Sequence, residues 1–492
     1  MDWFKKNIAL ITAVLATAVY LAANFVLLSR DINWLYLFPF AGLVLLLFVL
    51  KIETGLMLIA LLTPFAINFT ILPGMELSMP VEPMMILFTL MFFFRVLLAR
   101  GSYDKRILRH PVTIAVLAML VWMIITSSTS VLPAVSFKYF AARLWFMVPF
   151  FFASAHLFRN RDLMRKVVFC YAVSLIVVIL YATIKTFSGY HDLQTFHRVM
   201  RPFYNDHTAY GCVIALFVPI AFYYAFSHEG KKWMKPLLVC GFGILLMGLF
   251  FSYSRAAWIS VTGAIFVYFA IRMGMKVKWM LMAFALAVTG FFIFQSDVMY
   301  KLSKNKQDSS YDLSGQVKSI TNISTDDSNL ERLNRWASAM RMFKERPVLG
   351  CGPGTFQFRY ASYQRSYQLS RISTNSGNLG NAHSEYIGPL TEQGVPGVVC
   401  MLAIFLLTFA TGVRVYRTAV DRNVGRMALG FTLSLLTYYI HGIFNNFLDT
   451  DKLSVPFWAF TAAIVALDLY SEKKSETSDS VTTTESSSLK KD

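Results

Sequence analysis

The chain has 492 residues, of which 56% are hydrophobic and only 15% are charged. This much apolar surface cannot be buried around one water-soluble core, so the composition excludes an ordinary soluble protein and predicts a polytopic membrane protein. The net charge of +18 does not indicate a nucleic-acid partner, because no basic stripe with interleaved aromatic side chains lies in a soluble segment.

Apolar runs of the roughly 17 to 25 residues that cross a bilayer as a helix occur about fourteen times along the chain. They lie near residues 8–28, 33–50, 54–71, 81–98, 111–129, 137–157, 166–186, 208–226, 234–251, 256–272, 277–295, 394–414, 425–443 and 454–470. We therefore expect an all-α integral membrane bundle of about 12–14 transmembrane helices. Residues 1–295 would hold the first eleven, and residues 394–470 the last three.

The orientation of the bundle follows from lysine and arginine, which are enriched in cytoplasmic loops. Basic residues fill alternate short connections, among them Lys5 and Lys6, 95–109 and 159–166. This pattern predicts that both termini are cytoplasmic. Residues 471–492 are mostly Ser, Thr, Glu and Lys, and we expect them to form a disordered cytoplasmic tail.

Residues 296–393 interrupt this pattern and predict one large loop outside the membrane, in the periplasm of a Gram-negative cell. The first third of the loop is interpreted as a flexible connector. Ser328 and Glu331 then fit a capping box, and apolar residues follow at helical spacing as far as Phe343. Pro347 would end this helix. The loop should therefore contain short helices, one of which is amphipathic and basic.

Between Arg332 and Arg371 this segment carries many basic side chains and a single acid, Glu345. The basic residues are Arg332, Arg335, Arg341, Lys344, Arg346, Arg359, Arg365 and Arg371. Some of them could contact lipid headgroups. As a cluster they favour an anionic ligand anchored in the membrane, because guanidinium groups suit phosphate oxygens. Residues 350–354 (GCGPG) lack the GK[ST] ending of a phosphate-binding loop and are interpreted as a tight turn.

Further polar residues fall on the same predicted surface. Arg201 and His207 belong to an unusually polar short loop, in which Asn205 or Asp206 could equally be a helix cap. Arg255 begins a span and could snorkel to the surface or bind a ligand. Arg143 lies in the outer half of the sixth span, where an ionisable residue usually faces a polar cavity.

Asp449-Thr450-Asp451 spells the D-x-D pattern of some metal-dependent glycosyltransferases. Alone the pattern is weak, and a cap or a salt-bridge role is favoured. No His or Cys cluster at ligand spacing supports a metal site, so we expect neither a metal nor a cofactor. No nucleotide-binding signature is found either, so a substrate outside the membrane must already be activated.

The motif H-S-x9-G-x-x-G lies where the loop returns to the membrane, and comprises His383, Ser384, Gly394 and Gly397. A histidine titrates near neutrality, so His383 could move a proton for a substrate anchored in the bilayer. The two glycines would let another helix approach closely and fix the exit of the loop.

These residues resemble the O-antigen ligases and the related O-antigen polymerases of bacterial envelopes. The resemblance covers roughly residues 200–450. It rests on Asn205-Asp206-His207, residues 254–258 (SRAAW), Arg335-Trp336 leading to residues 347–356, and the H-S-x9-G-x-x-G motif, all in this order. Fourteen spans exceed the dozen typical of ligases, which leaves room for the polymerase branch or for an over-count of spans at the N-terminal end.

The resemblance implies an all-helical, GT-C-like glycosyltransferase in the bacterial inner membrane, with its active site facing the periplasm. Such an enzyme moves a glycan from undecaprenyl pyrophosphate to a sugar of lipid A-core, without a metal and with inversion. Its partners would be this lipid-linked donor, lipid A-core or another glycan acceptor, and membrane lipids. The family's histidine corresponds to His383, and its arginines to Arg255 and one of Arg332 and Arg335.

The residues then receive expected roles. His383 takes the proton from the acceptor hydroxyl, and Glu385 orients the acceptor or the imidazole. The candidates for binding pyrophosphate are Arg255, Arg332, Arg335, Arg201, Arg143 and His207. Ser384, Gly394 and Gly397 are expected to be structural.

Three alternatives remain open from the sequence. An O-antigen or exopolysaccharide polymerase and a protein O-oligosaccharyltransferase would use the same donor with another acceptor. A transporter of lipid-linked oligosaccharides would also suit fourteen spans. Transporters usually contain internal repeats, which are not detected here, and the large basic loop favours catalysis.

Overall fold

A computed structural model describes residues 17–27, 37–72, 75–98, 103–188, 199–227, 232–280, 327–369 and 380–472, with the single residues Thr12, Val14, Met282, Leu286 and Ser373. The expected connector, most of the expected span at 277–295 and nearly all of the expected tail lie outside these residues. The chain divides into two compact units, Met1–Leu56 and Met57–Asp492.

In the first unit the described helices are α1 (Thr17–Leu27) and α2 (Leu37–Leu50), and α3 (Ile52–Leu62) begins there. Phe48 of α2 is fully buried. A Cβ at Gly55 would overlap the Phe48 ring, so the end of α2 packs directly on the first turn of α3.

The expected span at 54–71 is wrong in its second half. Helix α3 ends at Leu62, and a 3-10 turn over Thr63–Phe65 contains Pro64, which cannot donate to a helical ladder. An antiparallel hairpin follows, formed by β1 (Ile67–Leu72) and β2 (Met75–Met79), with Ile67 opposite Met79. An apolar run of this length does not by itself distinguish a helix from a hairpin.

The remaining described elements of the second unit are helical. They are α4 (Val81–Leu98), α5 (Lys105–Leu108), α6 (Pro111–Ser128), α7 (Pro133–Met147) with a π-helical turn (Val148–Ala153), α8 (Ser154–Leu157), α9 (Arg161–Phe187), α10 (His207–Phe226), α11 (Lys235–Phe251), α12 (Arg255–Arg272), α13 (Asp327–Glu345), α14 (Phe356–Arg359), α15 (Ile387–Thr418), α16 (Arg422–His441) and α17 (Asp451–Tyr470).

Nine helices of the described part of the chain are long and apolar enough to cross a membrane. The protein is therefore an all-α polytopic membrane protein, as the composition predicted. Helix α16 is more polar than these nine, but it packs against α10, α12, α15 and α17 in the centre of the second unit. Almost every residue of α17 is buried.

Polar contacts distinguish two ends of the second unit. At one end Asp468 of α17 binds His110 at 3.2 Å and Arg414 at 2.8 Å, and Arg161 lies 3.3 Å from Asp421. This end, the paired end, joins the starts of α6, α9 and α16 to the ends of α15 and α17. The opposite end gathers the starts of α10, α12, α15 and α17 with the ends of α6 and α16, and it contains most of the predicted site residues.

Candidate functional site

The segment from His383 to Glu385 is attached to the end of α16. The Glu385 N–H donates to the carbonyl oxygen of Gly442 at 2.8 Å, and the Ser384 hydroxyl lies 3.4 Å from the same oxygen. Ser384 Oγ also accepts the N–H groups of Tyr386 and Ile387, so it caps the first turn of α15. The structural role expected for Ser384 therefore has a physical basis.

His383 itself lies in a strained turn. Its φ is +48°, in the left-handed region that a residue with a Cβ seldom adopts. Its N–H donates to Asn381 Oδ1 at 3.1 Å, which helps to hold this conformation. Such strain is concentrated at functional sites in proteins.

Gly394 of the motif admits a loop rather than the second helix that was expected, whereas a Cβ at Gly397 would overlap Gln393 of the same helix. Helix α15 begins at Ile387, earlier than predicted, and is kinked at Gly394, where φ is +70°. A Cβ there would overlap the carbonyl group of Val348, and the Val395 N–H donates to the Pro347 carbonyl at 2.9 Å. Any other residue at 394 would push this loop away.

The glycine-rich turn at 350–354 packs on the same part of α15. Gly350, Gly352 and Gly354 all have positive φ, as expected for a tight turn. The Gly352 N–H donates to the Glu392 carbonyl at 2.8 Å, and the Glu392 carboxylate accepts the N–H groups of Gly354 and Phe356, each at 2.9 Å. These bonds fix the C-terminal side of α13 to the start of α15.

Helix α13 begins and ends within two residues of the predicted positions, and its apolar face packs on the protein. Trp336, Ala339 and Met342 are buried in one cluster with Phe356, Tyr360 and the residue before His383, Ala382. The helix is therefore held against the turn that contains His383, which explains how residues fifty positions apart reach one site.

Arg335 of α13 is held from three directions. Its Nε donates to Glu331 at 2.8 Å, its Nη1 donates to the Asn381 carbonyl at 3.0 Å, and its guanidinium lies 5.1 Å from the centre of the Tyr360 ring. A Cβ at Gly380 would overlap the guanidinium. Arg335 is thus a fixed, buried cation beside the backbone that leads to His383.

The imidazole of His383 faces a positive environment. Its pKa is lowered to about 3, first by burial and then by the positive charges of Arg335 and Arg332, while Asp206 acts in the opposite direction. At neutral pH the ring is therefore uncharged and has a free lone pair.

Asp206 and His207 lie at the start of α10. Asp206 caps this helix by accepting the Thr208 N–H at 3.0 Å, and it lies 3.0 Å from His207 Nδ1. Burial favours protonation of Asp206, but its bonds to His207 and Thr208 hold the pKa of the carboxyl well below its usual range. Asp206 is therefore an anion whose charge acts on His383.

Arg255 and Arg201 lie at the same end of the bundle, further from the centre of the cluster. A Cβ at Gly211 would overlap Ser252 and Ser254, so the turn before Arg255 touches α10 one turn after His207. The Arg201 side chain is exposed, and its carbonyl accepts the Tyr181 hydroxyl at 3.2 Å.

Arg143 and Glu385 face a separate small cavity. Arg143 donates to the Leu448 carbonyl and to the Tyr139 hydroxyl. Glu385 accepts the Tyr438 hydroxyl and, at 2.9 Å, the Leu448 N–H. Both side chains and Gly397 line a cavity of about 30 Å³, room for a water molecule or two. Burial raises the pKa of Glu385, while Arg143 and these hydrogen bonds oppose the rise.

The two carboxylates of the D-x-D pattern have separate surroundings. Asp451 accepts the Ser78 hydroxyl at 2.7 Å and lies 3.9 Å from Lys452 Nζ. Asp449 is exposed, and its charge reaches Arg143. In the described part of the chain no three His, Cys, Asp or Glu side chains are grouped so that they could share a metal ion.

The structure thus brings together His383, Arg332, Arg335 and the pair of Asp206 and His207, with Arg255 beside them. Arg143 and Glu385 line the separate small cavity instead. Arg201 is exposed. Sequence reasoning missed His441, the last residue of α16, whose only signal was a titratable residue at the end of an apolar run.

The long apolar helices define a polytopic membrane protein, and the polar cluster at one end of the second unit is its candidate site. Residues 240–402 match the family model described as O-antigen ligase. This match confirms the resemblance predicted above over the residues that it covers. The match supports a membrane enzyme of the O-antigen ligase or polymerase type, a class that acts on lipid-linked glycans. No curated protein matches the chain significantly.

Proposed function

We propose that the protein transfers a glycan from undecaprenyl pyrophosphate to a sugar hydroxyl of lipid A-core, without a metal and with inversion. The observation that carries this proposal is the uncharged His383 imidazole, which lies within electrostatic reach of Arg332 and Arg335. A base and a phosphate-binding cluster side by side suit transfer from a glycosyl pyrophosphate.

In this proposal the end of the bundle that contains His383 faces the periplasm of the inner membrane. Residues 296–393 form the periplasmic loop of a GT-C-like fold, and both termini are cytoplasmic. The basic residues at the paired end, including Arg161, Arg414 and Arg422, support this orientation because cytoplasmic loops retain positive charge.

The donor binds through its pyrophosphate. Arg332 and Arg335 bind its oxygens, and Arg255, Arg201 and His207 add donors from the neighbouring helix ends. Arg335 is already immobilised by Glu331 and Asn381, so little side-chain entropy is lost when it binds. Arg143 acts differently, since its hydrogen bond to the Leu448 carbonyl holds the turn that also binds Glu385.

The transfer then exchanges one C–O bond for another. The acceptor hydroxyl oxygen attacks the anomeric carbon, and the bond from this carbon to the pyrophosphate oxygen breaks. The electron pair of that bond leaves with undecaprenyl pyrophosphate, whose added charge the arginines stabilise. His383 accepts the hydroxyl proton, and attack from the face opposite the leaving group inverts the anomeric centre.

Donor binding makes His383 a better base. Arg335 and Arg332 lower its pKa in the empty site. A pyrophosphate bound to these arginines would offset their charge and raise the pKa toward neutrality. The acceptor is therefore activated only after the donor has bound, which limits unproductive proton transfer.

Glu385 serves as a positioning residue. Its carboxylate binds Tyr438 and Leu448, and its backbone binds Gly442, so it fixes the segment that carries His383 to α16 and to the turn before α17. This role orients the imidazole through the backbone.

The test is His383→Ala in a strain that lacks the chromosomal gene, followed by gels of envelope glycans. We expect normal membrane insertion with no transfer. His156→Ala, at the paired end where the ring stacks on Tyr103, is the matched control and should transfer normally. Normal glycan attachment by the His383 variant would overturn the assignment.

The same gels separate a ligase from a polymerase. Loss of a ligase leaves polymerised glycan on the carrier lipid, whereas loss of a polymerase leaves single repeat units attached to lipid A-core. The second pattern would reject lipid A-core as the acceptor while keeping the chemistry at His383.

A further inference from the structure

The end of α16 carries an imidazole that nothing in the described part of the chain satisfies. His441 is 0% exposed, and neither of its ring nitrogens has a hydrogen-bond partner among the described residues. A buried polar group without a partner lowers stability, and an apolar residue of similar shape would avoid that cost.

Other unpaired polar atoms lie in the same turn. Asn445 Nδ2 and Asn446 Oδ1 are buried and likewise lack a partner within the described ranges. The backbone N–H of Asn445 donates to the His441 carbonyl at 3.2 Å, so Asn445 is one turn beyond the imidazole. A concentration of unsatisfied groups at one turn indicates a place for a polar ligand or for ordered water.

This turn belongs to the candidate site by its position. Gly442, next to His441, is the residue whose carbonyl accepts the Glu385 N–H and lies beside the Ser384 hydroxyl. The charges of Arg332 and Asp206 reach His441 and also reach His383. The same two charges therefore act on both imidazoles, although His383 lies in the turn before α15 and His441 is the last residue of α16.

The chemistry of the turn favours an anionic ligand. An uncharged imidazole has one N–H, Asn445 Nδ2 is a donor, and Arg332 supplies positive charge. The nearby anion, Asp206, is already bound to His207 and Thr208. Among the described residues of this turn, the unpaired acceptors are Asn446 Oδ1 and the second imidazole nitrogen, so the features that suit phosphate oxygens are the two unpaired donors and the charge of Arg332.

We propose that His441 is a second substrate-contacting histidine, which donates its ring N–H to a pyrophosphate oxygen of the lipid-linked donor. This inference rests on the proposed function. His383 acts on the acceptor side and His441 on the donor side, and His441 forms or breaks no covalent bond. The unsatisfied imidazole is retained because its partner arrives with the substrate.

The test uses the full-length protein in lipid nanodiscs, with undecaprenyl pyrophosphate as the probe. His441→Leu removes the N–H, and His441→Phe removes it while keeping a ring. Without the probe we expect both variants to unfold at or above the temperature of the wild type, because an unsatisfied polar group is gone. With the probe the wild type should be stabilised, and both variants much less.

Kinetics distinguish a contact with the donor from a purely structural role. We expect the KM for the lipid-linked donor to rise about ten- to a hundredfold in both variants, as for loss of a hydrogen bond to a charged group, with little change in the KM for the acceptor. His441→Gln retains an N–H donor and should recover part of the donor affinity.

Two results would reject the proposal, and they have different meanings. If undecaprenyl pyrophosphate stabilises the wild type and both apolar variants equally, His441 does not contact the donor, although the proposed function survives. If the probe does not stabilise the wild type either, the donor assignment fails and this inference fails with it.

Discussion

The two ends of the second unit differ in how completely their polar side chains are paired. At the paired end Asp468 is shared between His110 and Arg414, and Arg161 faces Asp421. At the end with His383, Arg335 also pairs with Glu331, but the charges of Arg332 and Arg335 both act on an uncharged histidine, and His441 has no partner within the described ranges.

This difference separates residues that stabilise the protein from residues that await a ligand. Charges that neutralise one another in the folded state need nothing further. Buried donors without a hydrogen-bond partner lower stability unless a ligand satisfies them. The comparison therefore supports the end with His383 as the site on physical grounds that do not depend on the family match.

The strongest test of the comparison is one conservative substitution at each end. Arg335→Lys should lower transfer at least about tenfold, because lysine cannot reproduce the planar contacts to Glu331, Asn381 and Tyr360 together. Arg414→Lys should leave transfer unchanged, because its bond to Asp468 needs only one donor. Initial rates of glycan transfer in nanodiscs would measure both.

Equal loss of activity in the two lysine variants would contradict the comparison. It would mean that the paired end also takes part in catalysis, or that both arginines act only through stability. Thermal unfolding of each variant separates these two explanations.

Much of this arrangement could be predicted from the chain. The positions of the long helices follow from apolar runs of bilayer length. The start and end of α13 follow from its capping pattern and from Pro347. Arg332 and Arg335 could be proposed as part of an anion-binding cluster because the segment that contains them is rich in basic residues, and the family resemblance then singled them out. These features are local, so that they can be recognised within about twenty residues of sequence.

Features that depend on distant contacts could not be predicted. The hairpin after Phe65 has the composition of a membrane span. Gly394 needs its positive φ because Val348 approaches it, and that approach depends on how α13 packs. His441 sits in an apolar run, and only the fold brings its helix end to His383.

The pH dependence of stability offers a second, smaller test. The pKa of His383 is about 3 in the folded protein and about 6.5 when unfolded, so the unfolded state binds more protons between these values. Stability should therefore be complete above pH 6.5 and should fall as the pH decreases toward 3. His383→Gln should weaken this dependence, as measured by thermal unfolding at pH 7 and pH 5.

Donor binding sharpens this test. With undecaprenyl pyrophosphate bound, the charge of the ligand should raise the pKa of His383 and reduce the loss of stability at pH 5. A wild type and a His383→Gln variant with the same pH dependence would show that neither burial nor the charges of Arg335 and Arg332 lower the pKa of His383.

The smallest effect is expected where a charge pair is exposed to water. Arg161 and Asp421 are 50% and 49% exposed, so solvent screens their attraction. Arg161→Ala should change the free energy of unfolding by no more than about 1 kcal/mol and should leave transfer unchanged. Asp421→Ala should cost more, because Asp421 also caps α16 by accepting the Asn423 N–H at 2.9 Å. If removing Arg161 instead destabilised the protein as much as removing the Asp421 cap, the exposed pair would contribute to the fold, and the paired end would depend on its surface charges as well as on its buried ones.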